Sequence, residues 1–105
     1  MAMKHAASTP LAVRHSLQRL GRDISMTRRL RRLRVNQMCE RIGCSRDTYR
    51  RIERGDPSVG IGLVAMALYA LGNGTPLGDV AAVDPDLLLA GSAEDGVIPK
   101  RVRKR

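Results

Sequence analysis

Two short segments with apolar residues at helical spacing flank Gly43-Cys44-Ser45, and this junction constrains the fold more than any other feature of the chain. From Val35 to Ile42 the apolar residues Met38, Cys39 and Ile42 fall at i, i+1 and i+4, one stripe of a helix. Gly43 stands where a left-handed residue ends a helix, and Ser45 where a side-chain oxygen starts the next. That next segment, Arg46 to Arg54, places Tyr49 and Ile52 three apart; Gly55 closes it and Asp56-Pro57 prevents its resumption. Two short helices joined by a three-residue bend have helix-turn-helix dimensions.

The flanking sequence is also helical in period. Leu17, Leu20, Ile24 and Leu30 recur among arginines between Val13 and Leu33, which predicts a helix with a cationic outer face. Gly21 weakens its middle, so its ordered part is expected to begin near there. A further helix is predicted from Ile61 to Leu71, closed by Gly72-Asn73-Gly74. Thr75-Pro76, an N-cap followed by an N1 proline, predicts a short fifth helix to about Ala82, which Asp84-Pro85 ends. The expected organisation is a flexible arm at 1–12, an all-α five-helix domain at 13–83, and an irregular acidic linker with a basic tail at 84–105. Tyr49 and Tyr69 are the only aromatic residues, so the core must be mainly aliphatic. Tyr49, Met38 and Met66 read as packing residues and Tyr69 as peripheral.

Charge is unevenly distributed along the chain, whose net charge is +9. Residues 14–54 hold 13 arginines against Asp23, Glu40, Asp47 and Glu53. Residues 55–99 hold no Lys or Arg and six acids, Asp56, Asp79, Asp84, Asp86, Glu94 and Asp95, and a basic tail follows. Such a cationic block beside an anionic one points to a polyanion binder with a separate surface for another task. In a helix-turn-helix the second helix enters the major groove with its N-terminal side chains at base edges. Arg46, Arg50 and Arg51 supply donors suited to guanine, Asp47 an acceptor suited to a cytosine amine, and Ser45 a phosphate contact. Asp47 has an alternative use in an intrahelical pair with Arg51.

Other chemistries find no support. There is no Ser-His-Asp, Cys-His or paired-carboxylate arrangement and no glycine-rich phosphate loop, so no enzyme is expected. His5 and His15 lack ligand spacing, and Cys39 and Cys44 read as small packing residues; no metal or cofactor is expected. No apolar run reaches the ~18 residues of a membrane span, and no secretory signal is evident. A bacterial cytoplasmic, nucleoid-associated location is the expectation.

The run from Leu33 to Gly55, with Gly43, Ser45, apolar Tyr49 and the closing Ile52-Glu53-Arg54-Gly55, resembles the Xre/Cro phage-repressor type of lambda-repressor-like helix-turn-helix. The stretch from Gly55 through Gly62, together with Ala70-Leu71-Gly72, is similar to HipB-like antitoxins. The tail Ile98-Pro99-Lys100-Arg101-Val102-Arg103 resembles the Leu-Pro-Lys-Arg-Val-Arg ending of such antitoxins. The resemblance implies base reading by Arg46, Asp47 and Arg51, backbone contacts by Thr48 and Arg50, and a phosphate contact by Arg54. It also implies a buried ion pair between Arg28 and Glu53. It implies an operator-binding homodimer that represses its own operon and binds a HipA-like Ser/Thr kinase toxin, for which residues 98–103 are a candidate docking peptide; by its charge alone the tail reads equally as a nucleic-acid arm or as disordered charge. Arg34 and Val35 depart from the family's usual Ser/Thr and Gln, which removes one N-cap bond; Arg34, Val35, Asn36 and Gln37 remain the candidate contacts there. A stand-alone repressor, or an interaction module that neutralises a partner with little DNA binding, are the alternative readings.

Overall fold

A computed structural model describes residues 8–95 and 98–102. Its helices are α1 (Leu11–Leu30), α2 (Val35–Ile42), α3 (Arg46–Arg54), α4 (Ile61–Ala70) and α5 (Pro85–Asp95), with a single 3₁₀ turn at Pro76–Asp79. The architecture is all-helical with five helices, and no strand occurs among the described residues. α1 packs on α3, and α2 packs on both α3 and α4.

The core lies where these four helices meet. Ile24 from α1, Met38, Cys39 and Ile42 from α2, Tyr49 and Ile52 from α3, and Ala67, Leu68 and Leu71 at α4 are buried. Each of the two central helices places its apolar stripe inward, as the spacing predicts. Met66 and Leu30 depart from that expectation: Met66 is half-exposed and Leu30 is largely exposed near the end of α1. Tyr69 is exposed and Tyr49 fully enclosed.

The structure corrects three expectations about the elements. α1 begins at Leu11, inside the segment expected to be a flexible arm, and runs without interruption through Gly21; residues 1–7 of that arm lie outside the described residues. Gly21 is buried because α1 crosses the end of α3 there. A Cβ at this position would lie 2.5 Å from the Glu53 carbonyl oxygen and 2.7 Å from the Gly55 amide nitrogen. The local helix penalty of glycine is thus outweighed by a backbone approach that only glycine permits.

The expected fifth helix is only a turn. Thr75 makes no side-chain cap bond, and the 3₁₀ turn spans only Pro76–Asp79. Gly78 within that turn weakens continuation. The fifth helix of the structure starts at Asp84-Pro85, the pair expected to end one. Asp84 accepts the Asp86 amide through Oδ1 at 2.9 Å, Pro85 occupies the first helical position, and the Leu88 amide reaches the Asp84 carbonyl at 3.0 Å. Aspartate as N-cap and proline at N1 form a helix start, so Asp84-Pro85 opens α5 rather than closing a preceding helix.

Candidate nucleic-acid interface

The bend between α2 and α3 is built as its residue types require. Gly43 adopts φ 69° and ψ 43°, and its amide donates to the Cys39 carbonyl at 2.8 Å. The Cys44 amide reaches the same carbonyl at 3.1 Å. Ser45 then caps α3: its Oγ accepts the Thr48 amide at 3.1 Å and donates to Thr48 Oγ1 at 3.0 Å. The start of α3 carries the partial positive charge of a helix N-terminus, a favourable end to present to a phosphate.

The exposed side of α3 carries Arg46, Arg50 and Arg54 at i, i+4 and i+8, with Asp47 beside them. At 3.6 residues per turn these three arginines form one longitudinal stripe on a face distinct from that of the buried Tyr49 and Ile52. The Asp47 side chain makes no hydrogen bond or ion pair in the described chain, so the expected Asp47–Arg51 pair is not formed. Arg51 is engaged elsewhere. Its Nε lies 3.3 Å from Asp56 Oδ2 and its Nη2 donates to Ser58 Oγ at 2.9 Å. Asp56 Oδ1 also accepts the Ser58 amide at 2.8 Å and the Ser58 hydroxyl at 2.7 Å. These Ser58 bonds foremost, then Arg51, hold the Asp56 carboxyl below its ordinary range. Arg51, expected at a base edge, thus anchors the turn after α3 in this structure. The signal was available: an aspartate two residues before a serine at a helix end forms an Asx turn.

Behind this surface stands the Arg28–Glu53 pair. Arg28 Nε donates to Glu53 Oε2 at 2.7 Å and Nη2 to Oε1 at 3.3 Å, with the two side chains 13% and 14% exposed. Arg28 Nη1 also donates to the Leu33 carbonyl at 3.0 Å. One guanidinium therefore joins α1, the α1–α2 corner and the last turn of α3. Burial is the largest single influence and would raise the Glu53 pKa; the hydrogen bonds and charge of Arg28, with smaller contributions from Tyr49 and Ser25, together outweigh it and leave the carboxyl below its ordinary value. The bond to Glu53 likewise raises Arg28. The Tyr49 hydroxyl is buried near this pair without a hydrogen-bond partner, and burial above all pushes its pKa upward.

The start of α2 is different from expectation in one residue. Val35 is half-buried and packs against the core, which leaves only part of its side chain at the surface. An arginine has no acceptor, and Arg34 supplies no side-chain cap. Gln37 compensates by accepting the Arg34 amide through Oε1 at 2.8 Å, which commits the polar group considered for DNA. Arg34 and Asn36 are exposed, as are Arg29, Arg31 and Arg32 at the preceding corner. Thr48 is half-buried and bonded to Ser45. Of the candidate docking peptide, Ile98, Pro99, Lys100, Arg101 and Val102 are exposed; Arg103 lies outside the described residues.

Among the described residues no group of His, Cys, Asp and Glu could hold a metal ion, and no helix is long and apolar enough to cross a membrane. No curated protein and no solved structure matches the chain. A family model described as a helix-turn-helix domain matches residues 19–83, which include α2, the Gly43–Ser45 bend, α3 and the Arg28–Glu53 pair. The chain therefore belongs to the helix-turn-helix domain family and is a DNA-binding regulator.

Proposed function

We propose that the protein is a sequence-specific repressor that binds operator DNA as a homodimer through α3 and acts as the antitoxin of a HipBA-like pair. The observation that carries DNA reading is the exposed stripe of Arg46, Arg50 and Arg54, with Asp47, on a serine-capped helix. Arg46 and Asp47 stand in the first turn, where a recognition helix meets base edges. Arg54, the N-terminal end of α3 and Arg34 suit phosphates. A single module of this size makes few contacts, and two copies on half-sites one helical turn apart multiply them.

The antitoxin role is supported by the likeness of residues 55–62 and 70–72 to HipB-like proteins and by the exposed Ile98–Val102 segment, available to a HipA-like kinase. In that role the chain represses its own operon, and toxin binding strengthens repression by joining or ordering the dimer. A mobility shift with duplex from the chain's own upstream region tests the first part. Saturable retardation that outlasts competition by random duplex is expected; no shift at low salt overturns it and leaves the interaction-module reading. Purification from the native host tests the second part. A kinase-like protein recovered in stoichiometric amount is expected, and its absence favours a stand-alone repressor.

A further inference from the structure

The bend that leads into α3 holds both cysteines of the chain, Cys39 and Cys44. The Gly43 and Cys44 amides both donate to the Cys39 carbonyl, at 2.8 Å and 3.1 Å. The second of these is the 6→1 bond of a Schellman stop, in which the residues at the two ends bring their side chains together, usually as an apolar contact. Here both ends are cysteines. The bond also limits how far apart they stand. With standard bond lengths on either side of a 3.1 Å contact between the Cys44 nitrogen and the Cys39 oxygen, the two Cα atoms lie within ~7 Å, the range a disulfide can span.

Both thiols are free. Cys39 is 9% exposed within the core, and Cys44 is half-buried and packs against that core. Burial foremost, then the facing Cys39 thiol, holds the Cys44 pKa above the ordinary cysteine value. The two sulfurs are thus close enough to act on each other. Nothing lies within 4 Å of the place a Cβ on Gly43 would take, so the bend has open space beside it.

We propose that Cys39 and Cys44 form a modification site, which a peroxide oxidises to an intrachain disulfide, and that this bond weakens DNA reading by displacing the start of α3. Cys44 is the sulfur a peroxide reaches. Its thiolate attacks one peroxide oxygen, the O–O bond breaks, and the departing hydroxide takes up the thiol's proton as water, leaving a sulfenic acid on Cys44. The Cys39 sulfur attacks the Cys44 sulfur, the S–O bond breaks, and a second water leaves with the Cys39 proton. Two thiols and one hydrogen peroxide give one disulfide and two waters, the thiols supplying both electrons. Joining the sulfurs draws them from non-bonded contact to ~2.05 Å. Cys39 is fixed in the core between its neighbours on α2, so Cys44 makes most of this movement, and Ser45, the cap of α3, is the next residue. The effect on duplex rests on the DNA-binding reading above; the disulfide does not.

The test treats the full chain with hydrogen peroxide beside Cys44→Ser and Cys44→Ala, with circular dichroism as the check on folding. Intact mass, a non-reducing gel and mobility shift on duplex from the chain's own upstream region are read together. The wild-type mass should fall by two hydrogens with the chain still running as a monomer on the denaturing gel. Affinity should fall by ~tenfold, the scale of one bidentate base contact, and dithiothreitol should restore both. Methionine oxidation adds oxygen and is not reversed by dithiothreitol, so it is read separately. The two variants should bind duplex like the reduced wild type and keep that affinity after peroxide. Two thiols still titratable after treatment, a disulfide between chains in place of one within the chain, or an oxidised chain that binds like the reduced one overturns the proposal. If the reduced chain retards no duplex at low salt, the DNA-binding reading fails together with the effect on affinity, and the mass alone decides the disulfide.

Discussion

Gly21 of α1 and Gly55 at the end of α3 face each other so closely that neither can carry a side chain. A Cβ on Gly21 would stand 2.7 Å from the Gly55 nitrogen, and one on Gly55, at φ 70°, would run into the Leu17 carbonyl. The listening surface of the protein is thereby fixed by a backbone crossing, not by side-chain packing alone. Gly21→Ala should lower stability by ~2 kcal/mol or more, despite alanine's helix preference of ~0.5–1 kcal/mol. Gly62→Ala in α4, where nothing lies within 4 Å, should instead stabilise by ~0.5–1 kcal/mol. Urea titration of both decides; equal effects would show that the crossing tolerates a methyl group.

Arg28→Ala should cost roughly 3 kcal/mol, the low end for breaking a buried pair, because Glu53 is then left with an enclosed charge. Arg28→Lys should recover only part, since one ammonium cannot serve both Glu53 oxygens and the Leu33 carbonyl. Chemical denaturation measures both, and a lysine variant as stable as wild type would reduce the fork to a simple charge contact.

Acid should expose the same pair. The folded Glu53 pKa is depressed relative to the unfolded chain, so its contribution is fully present above the ordinary glutamate value of ~4.3 and drains away as pH falls through the folded value. Glu53→Gln should be less stable than wild type at neutral pH, and the gap should narrow on acidification. Thermal melts from neutrality down to about pH 3 check this; a gap that stays constant removes the linkage.

Ser45→Ala should destabilise by ~1 kcal/mol through loss of the α3 cap, while Ser45→Asp should retain the cap. Their DNA affinities should diverge from their stabilities, because an aspartate at this position repels a phosphate. Melting curves beside mobility shifts separate the two effects.

Arg46→Ala and Arg54→Ala should differ in kind. The first should cost ~1–3 kcal/mol on operator DNA and relax preference at one base; the second should weaken all duplexes alike and lower the salt slope by about 1. Titrations on operator and random duplex at several salt concentrations measure this. Equal loss on both duplexes for Arg46 would make it a phosphate contact.

The sequence carried α2, the bend and α3 to the residue, because their limits are set locally: Gly43 and Gly55 at left-handed positions, Ser45 as a cap, and two clear apolar stripes. It could not show the Gly21 crossing, where a tertiary approach overrides a local penalty, nor the burial of Val35, whose aliphatic side chain replaces a polar one. Asp84-Pro85 was misread because the pair that interrupts one helix also begins another, and only the following Leu87-Leu88-Leu89 distinguishes them. Arg51 was ambiguous for a similar reason. A cation on a recognition helix has several acids within reach, and the Asx turn at Asp56 settles which one it takes.

The side chains of Arg46, Asp47 and Arg50 are exposed and make no hydrogen bond or ion pair within the described chain, while Ser45, Gly55 and the Arg28–Glu53 clamp hold α3 in place. The side chains proposed to read DNA are thus physically separate from those that make the chain fold. A library randomised at those three positions should remain folded throughout, and new target sequences should be selectable from it without compensating changes elsewhere.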